Sequence, residues 1–346
     1  MRLWLGEFRE SCSVCQMRPK HSRRTGTDRG GHPLDRQPYR ADRMKLIRVF
    51  PRRTKATPDD ALVRFGPPGP TSFDEADEVH VSVTFTQDKP YAEHLAEQWR
   101  GRCGNTKIGG VAYGDDSLEF IPGRYVKPGY TITSRGCPRR CWFCDVWKKW
   151  PEANPLPIHD GWNVLDDNLL ACPEWHVRAV FDMLRRQNRR IEFSGGLEAL
   201  ALQEYQVDLL ASLKPKPAMF WAYDDPEHTP DTLDSMERAA RLILQAGFTR
   251  ESHRLRCYVL IGYPHDTFAT AEERLMDMVR IGFTPMAMLW QPTMAAAEKW
   301  RPKPEWRAFQ RRWARPAIIH ATTTRRSPRS KSWRLREIGT LFDAVG

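Results

Sequence analysis

Between residues 130 and 290 the chain alternates six times between a short apolar, β-branched run and a longer stretch with helical apolar spacing. No other feature constrains the fold as tightly. The strand-like runs fall at 130–133, 162–165, 190–193, 218–223, 256–261 and 286–290, and the main helical stretches at 174–186, 204–213, 232–246 and 269–281. Strands separated by helices pair in parallel through right-handed crossovers. Six such units suit a partial barrel, because a complete one needs eight units and typically about 250 residues. An open Rossmann-like sheet has the same periodicity. The predicted fold class is α/β, a partial (β/α)6 TIM-like barrel with a small N-terminal α/β unit and basic termini.

Composition and charge divide the remainder. Residues 1–43 are polar, without periodicity, and carry a net charge of +5; residues 299–346 carry +10, which leaves −4 on the span between them out of the chain's +11. The expected layout is a basic disordered extension at 1–43, with Met44 a candidate true start, then an α/β unit at 44–125. The barrel follows at 126–295, and a basic helix and tail at 296–346. Within the small unit, 44–50 and 79–85 alternate as strands. Residues 91–99 read as a helix and 107–113 as a strand, while 51–75 read as loop. A hydrophobic fraction of 40% suffices for a core. No run of about 18 apolar residues occurs and no secretory leader is recognisable, so the expectation is a cytoplasmic protein with no membrane contact.

Eight cysteines in a chain read as cytosolic point to metal or redox chemistry rather than to disulfides. Three of them stand in Ser134-Arg-Gly-Cys137-Pro-Arg-Arg-Cys141-Trp-Phe-Cys144, just after the first strand of the main domain. Parallel sheets place their active sites on loops at that carboxyl end. Soft thiolates select iron–sulfur clusters or zinc. A structural zinc site is closed by four ligands and would need a distant fourth, such as Cys103, Cys172 or a histidine. A [4Fe–4S] cluster held by three cysteines keeps one iron open to a ligand. Cys12 and Cys15 lack a second pair nearby and are taken as incidental.

The Cys-x3-Cys-x2-Cys spacing, with aromatic Phe143 before the last cysteine, resembles the motif of the radical S-adenosylmethionine (SAM) superfamily over residues 126–295. The resemblance implies a [4Fe–4S] cluster on Cys137, Cys141 and Cys144 that reductively cleaves SAM. The resulting 5′-deoxyadenosyl radical would abstract hydrogen from an unidentified substrate, with a flavodoxin or ferredoxin as reductant. It also implies SAM contacts at later strand ends. Asp166 or Asp167 would face the amino group, with a helix cap as the alternative. Ser194 would reach a ribose hydroxyl beside Gly195, with a tight strand-to-helix turn as the alternative. Gly262 would pack on adenine in Tyr258-Val-Leu-Ile-Gly262, where tyrosine replaces the first glycine of the superfamily's pattern. Gln291 either faces the site or ends a strand in solvent. His159, His176, His228 and His265 are given no role.

A short α/β unit ahead of the barrel resembles the cobalamin-associated branch of the superfamily. The Asp-x-His-x-x-Gly motif is missing, which implies a relative without cobalamin. Three readings stay open: radical chemistry on a small molecule or unknown substrate, the same chemistry on nucleic acid gripped by the basic C-terminus, and a zinc-stabilised nucleic-acid-binding protein without catalysis.

Overall fold

The computed structural model describes residues 45–69, 76–114, 120–224, 233–292, 300–313 and 319. The expectations for residues 1–43, Met44, His228 and the tail beyond 319 lie outside the described residues. The chain divides into two compact units between Pro128 and Gly129. It is a mixed α/β protein, and no described helix is long and apolar enough to cross a membrane.

The first unit is a parallel sheet of β1 (Leu46–Phe50), β2 (Val63–Phe65), β3 (Glu78–Ser82) and β4 (Thr106–Gly109), in the order β2-β1-β3-β4. Helix α1 (Lys89–Arg100) covers it with Ala92, Leu95, Ala96 and Trp99, a spacing that forms a single apolar stripe. Ile47, Val49, Val79 and Val81 supply the sheet's side of that core. Strand β2 lies inside the stretch read as loop. Its three residues, bounded by Asp, Gly and Pro, are too few to show a period, and parallel pairing with β1 fixes them. Strand β4 stops at Gly109, and Val111–Tyr113 turns as a 3-10 helix. Gly110 has φ +107° and a Cβ there would lie 2.8 Å from the Val83 carbonyl oxygen, so the chain turns where only glycine fits.

The second unit is built on six parallel strands: β5 (Tyr130–Thr131), β8 (Asn163–Val164), β9 (Glu192–Leu197), β10 (Ala218–Ala222), β11 (Leu255–Ile261) and β12 (Thr284–Leu289). They neighbour one another in chain order from β5 at one edge to β12 at the other. A doubly wound sheet reverses its order at a switch point; this one does not. Helices α3 (Glu174–Arg186), α4 (Glu204–Ser212), α5 (Leu233–Gln245) and α6 (Phe268–Ile281) fill the crossovers, close to the spans read from periodicity. In α3 the buried residues Val177, Val180, Phe181 and Leu184 form the face toward the sheet. A further helix, α7 (Pro304–Trp313), sets Phe309 into the same core.

Two short strands had no signal in the sequence. β6 (Ser134–Arg135) pairs antiparallel with β7 (Asn154–Pro155), with α2 (Val146–Lys149) between them. The pair clips together the two ends of the segment that carries the cysteines.

The turn from β11 into α6 is fixed by one buried ion pair. Arg274 donates from Nη2 to both oxygens of Asp266 at 3.0 and 2.9 Å, and to the Leu260 carbonyl at 3.0 Å. Both side chains are buried, at 7% and 0% exposure. Removing one member of a buried pair strands the other charge in the core. Asp266→Ala is therefore expected to lower unfolding free energy by about 3–5 kcal/mol, measured by urea denaturation; a loss of under about 1 kcal/mol would contradict this.

Candidate metal centre at the carboxyl end of the sheet

The cysteine segment hangs between two fixed points. Asp166, just past β8 and 2% exposed, accepts from the Thr133 backbone N–H at 2.6 Å, the Thr133 hydroxyl at 2.5 Å and the Ser134 hydroxyl at 2.8 Å. Burial pushes its carboxyl above the ordinary range, and the bonds from Thr133 and Ser134 pull against that rise. Asp167 accepts from the Gly136 backbone N–H at 2.8 Å. Both carboxylates thus hold the segment in place, and neither is a helix cap. The expectation that Asp166 would face the amino group of SAM meets two oxygens already engaged by the chain itself, whereas Asp167 holds Gly136 through one oxygen, Oδ2.

Gly136, immediately before Cys137, has φ +98°, and a Cβ would fall 1.9 Å from the Glu152 carbonyl oxygen. Cys137 N–H donates to the Trp150 carbonyl at 3.1 Å, closing the loop behind it. Gly136→Ala is accordingly expected to displace the whole segment and cut iron loading several-fold relative to wild type, read by iron analysis at matched protein concentration. Wild-type loading in that variant would show that this contact does not position the cysteines.

Cys137, Cys141 and Cys144 are all partly exposed, and none is joined in a disulfide. Burial pushes the Cys137 thiol up to about 11, opposed by a hydrogen bond from Asn168. A thiol held that high keeps its proton at neutral pH until a metal binds the sulfur and displaces the proton to solvent. Asn168 Nδ2 donates to Cys137 Sγ at 3.4 Å and to Glu198 Oε2 at 2.6 Å. Glu198 also pairs with Arg139 from inside the cysteine loop. A carboxylate only accepts, so the bond to Glu198 fixes which end of the Asn168 amide faces it. That leaves Asn168 Oδ1 buried without a hydrogen-bond partner, an unmet polar demand beside Cys137. The sequence alone singles out neither Asn168 nor Glu198. Their signal was position: each follows a parallel strand at its carboxyl end.

Among the described residues no group of three or more His, Cys, Asp or Glu is gathered so as to hold a metal ion. A single ion asks its ligands to converge on one point, whereas a cuboidal cluster takes three thiolates at three separate irons. The donor set fits a cluster in number and softness, with a hydrogen-bond donor already aimed at one sulfur. Cys172 and Cys257 are buried in the core. Cys103 belongs to the first unit.

The other expected positions do structural work. Strand β9 runs through Leu197, so Ser194 and Gly195 lie within it and not in a turn after it. The Ser194 hydroxyl is bonded to Asn163 Oδ1, and a Cβ at Gly195 would meet the Asp166 carbonyl oxygen at 2.4 Å. Close strand-to-strand packing explains that glycine. Gly262 has φ +71°, its N–H donates to Asp266 Oδ2 at 2.7 Å, and the Trp306 ring covers it at 3.0 Å from a would-be Cβ. The place expected to face adenine is occupied by a side chain of α7. Tyr258, at the departure from the superfamily's glycine, stacks on Phe220 with centroids 4.9 Å apart. Gln291 is exposed and His176 is buried.

Phe143 meets Trp142 edge to face at 5.5 Å. Trp142 in turn contacts Tyr263 after β11 at 5.8 Å and Trp290 after β12 at 6.2 Å. The loop that follows the first strand therefore touches the loops that follow the last two. No protein-family model matches this chain, and a search of curated proteins finds no match to it.

Proposed function

We propose that this protein is a radical SAM enzyme in which Cys137, Cys141 and Cys144 hold a [4Fe–4S] cluster. The observation that carries the reading is a Cys-x3-Cys-x2-Cys loop braced by Asp166 and Asp167 at the carboxyl end of a parallel sheet, with Asn168 donating to Cys137. The strand order, unreversed from edge to edge, supports a partial (β/α)6 barrel. So does the reach of Trp142 from the loop after β5 to those after β11 and β12.

The chemistry supplied by such a cluster with SAM is one-electron cleavage to a 5′-deoxyadenosyl radical, which takes hydrogen from a substrate. The chain's own part is placement and environment. The three thiols supply ligands. Asn168 donates to Cys137 sulfur, a contact of the kind that tunes a cluster's potential. Arg139 offsets the buried charge of Glu198. Trp142 and Phe143 place ring surface beside the cysteines. Asp166, Ser194, Gly195 and Gly262 enter this reading as supports of the site, and Asp167, which holds Gly136 through Oδ2, remains the carboxylate proposed to face the SAM amino group. The electron would come from a donor such as a flavodoxin or ferredoxin. Cobalamin has no place in it.

Anaerobic purification followed by iron, sulfide and zinc analysis tests the assignment. The expected result is about four irons and four sulfides per chain. About one zinc per chain with no sulfide would replace the reading with a structural zinc site.

A further inference from the structure

We propose that the substrate of this site is single-stranded nucleic acid, seated on an aromatic ledge of Trp142, Tyr263, Trp290 and Trp300 with Arg140 and Lys148 meeting its phosphates. The proposal rests on the radical SAM reading for its chemistry but not for its binding.

The ledge is continuous. Trp142 touches both Tyr263 and Trp290, and Trp290 meets Trp300 edge to face at 5.8 Å. All four rings are partly exposed. Partly exposed rings packed in a row offer flat apolar surface on which a partner's rings can stack. The ledge begins inside the cysteine loop, so whatever lies on it lies beside the cysteines.

Charge decides what that is. The span between the basic ends carries −4, yet residues 137–150 hold Arg139, Arg140, Lys148 and Lys149 against the single acid Asp145. Arg140 and Lys148 are exposed, Lys148 pairing with Asp145 at 3.0 Å, and Lys149 lies over the Trp150 ring at 4.7 Å. Rings interleaved with cations match a strand whose bases stack and whose phosphates are neutralised. An acidic peptide would use the cations and leave the ring faces unmatched. A duplex hides its base faces within its own stack, which favours an unpaired segment. The basic C-terminus, expected from sequence to do the gripping, is not needed for this contact.

The test is fluorescence anisotropy of the full-length protein with short labelled single-stranded RNA, single-stranded DNA and a duplex of equal length, over a range of KCl concentrations. Single strands are expected to bind more tightly than the duplex. Trp142→Ala and Trp290→Ala should each weaken binding by about tenfold or more, with Trp142→Phe restoring most of it. Arg140→Ala and Lys148→Ala should each flatten the salt dependence by about one in slope. A preference for RNA or for DNA names the source and supports the proposal either way. Equal affinity in the ring variants would place binding on the basic ends and overturn it. So would equal or tighter binding of the duplex, or no binding at low salt. Because Trp290 lies outside the cysteine loop, a misfolded Trp142 variant still leaves a clean reading. Binding without iron in the wild-type protein would sink the radical SAM reading alone, and iron without binding would sink this one alone.

Discussion

Alanine at any one of Cys137, Cys141 or Cys144 is expected to take the anaerobically purified protein from about four bound irons per chain to almost none. The three thiols stand on one loop and are all partly exposed, so each has access to a corner of the same cluster. With only three protein ligands, losing one leaves two irons open, and two cysteines do not retain the cube. Cys257→Ala is the internal control, because Cys257 is fully buried in β11 among core residues. It costs packing, of the size of a small cavity, and leaves iron in place. Iron and sulfide assays with visible absorption spectra decide the matter. Wild-type iron in any of the three loop variants would contradict the assignment.

The second large effect is expected at Asp166. Its two oxygens satisfy three donors on the strand and turn that lead into the cysteine loop. Asp166→Ala would leave the Thr133 N–H and two hydroxyls in a buried site without an acceptor. Orphaned buried donors cost about 1–3 kcal/mol each. The desolvation that pushes the Asp166 carboxyl up opposes part of that gain. A net loss of about 3 kcal/mol is expected by urea denaturation, together with a several-fold fall in iron loading. Asp166→Asn keeps the shape but turns an amide donor toward donors, so it should also lose stability. Unchanged denaturation and unchanged iron in Asp166→Ala would show that Thr133 and Ser134 find other partners and that the brace is dispensable.

Where one element dominates its own local pattern, the sequence reading and the structure agree. Helices α3 and α6 bury a single stripe, and their spans follow from apolar spacing alone. The cysteine loop was legible because three thiols at fixed spacing have few alternative uses. Of the strands of two or three residues, β5 and β8 lie within apolar runs and were legible, whereas β2, β6 and β7 have no period of their own and exist through pairing with a partner distant in sequence. The end of β9 was misplaced because Gly195 and Gly196 signal a turn locally. The space there admits a glycine strand only because the backbone at Asp166 approaches so closely.

The roles of site residues were harder still. Asp166 carries the same sequence signal whether its carboxylate faces a ligand or its own chain, and the direction of the side chain is a tertiary property. Asn168 and Glu198 matter through a contact between loops 30 residues apart, and Trp142, Tyr263 and Trp290 meet only because the loops of the first and last strands converge. No window along the chain contains those pairs.

Dithionite reduction of the anaerobic, iron-loaded protein in the presence of SAM, with the products separated by liquid chromatography, tests the central claim most directly. The account predicts 5′-deoxyadenosine in the wild-type protein and none in Cys137→Ala, Cys141→Ala or Cys144→Ala. Iron-loaded wild-type protein that leaves SAM intact under reduction, or equal 5′-deoxyadenosine from a cysteine variant, would contradict it.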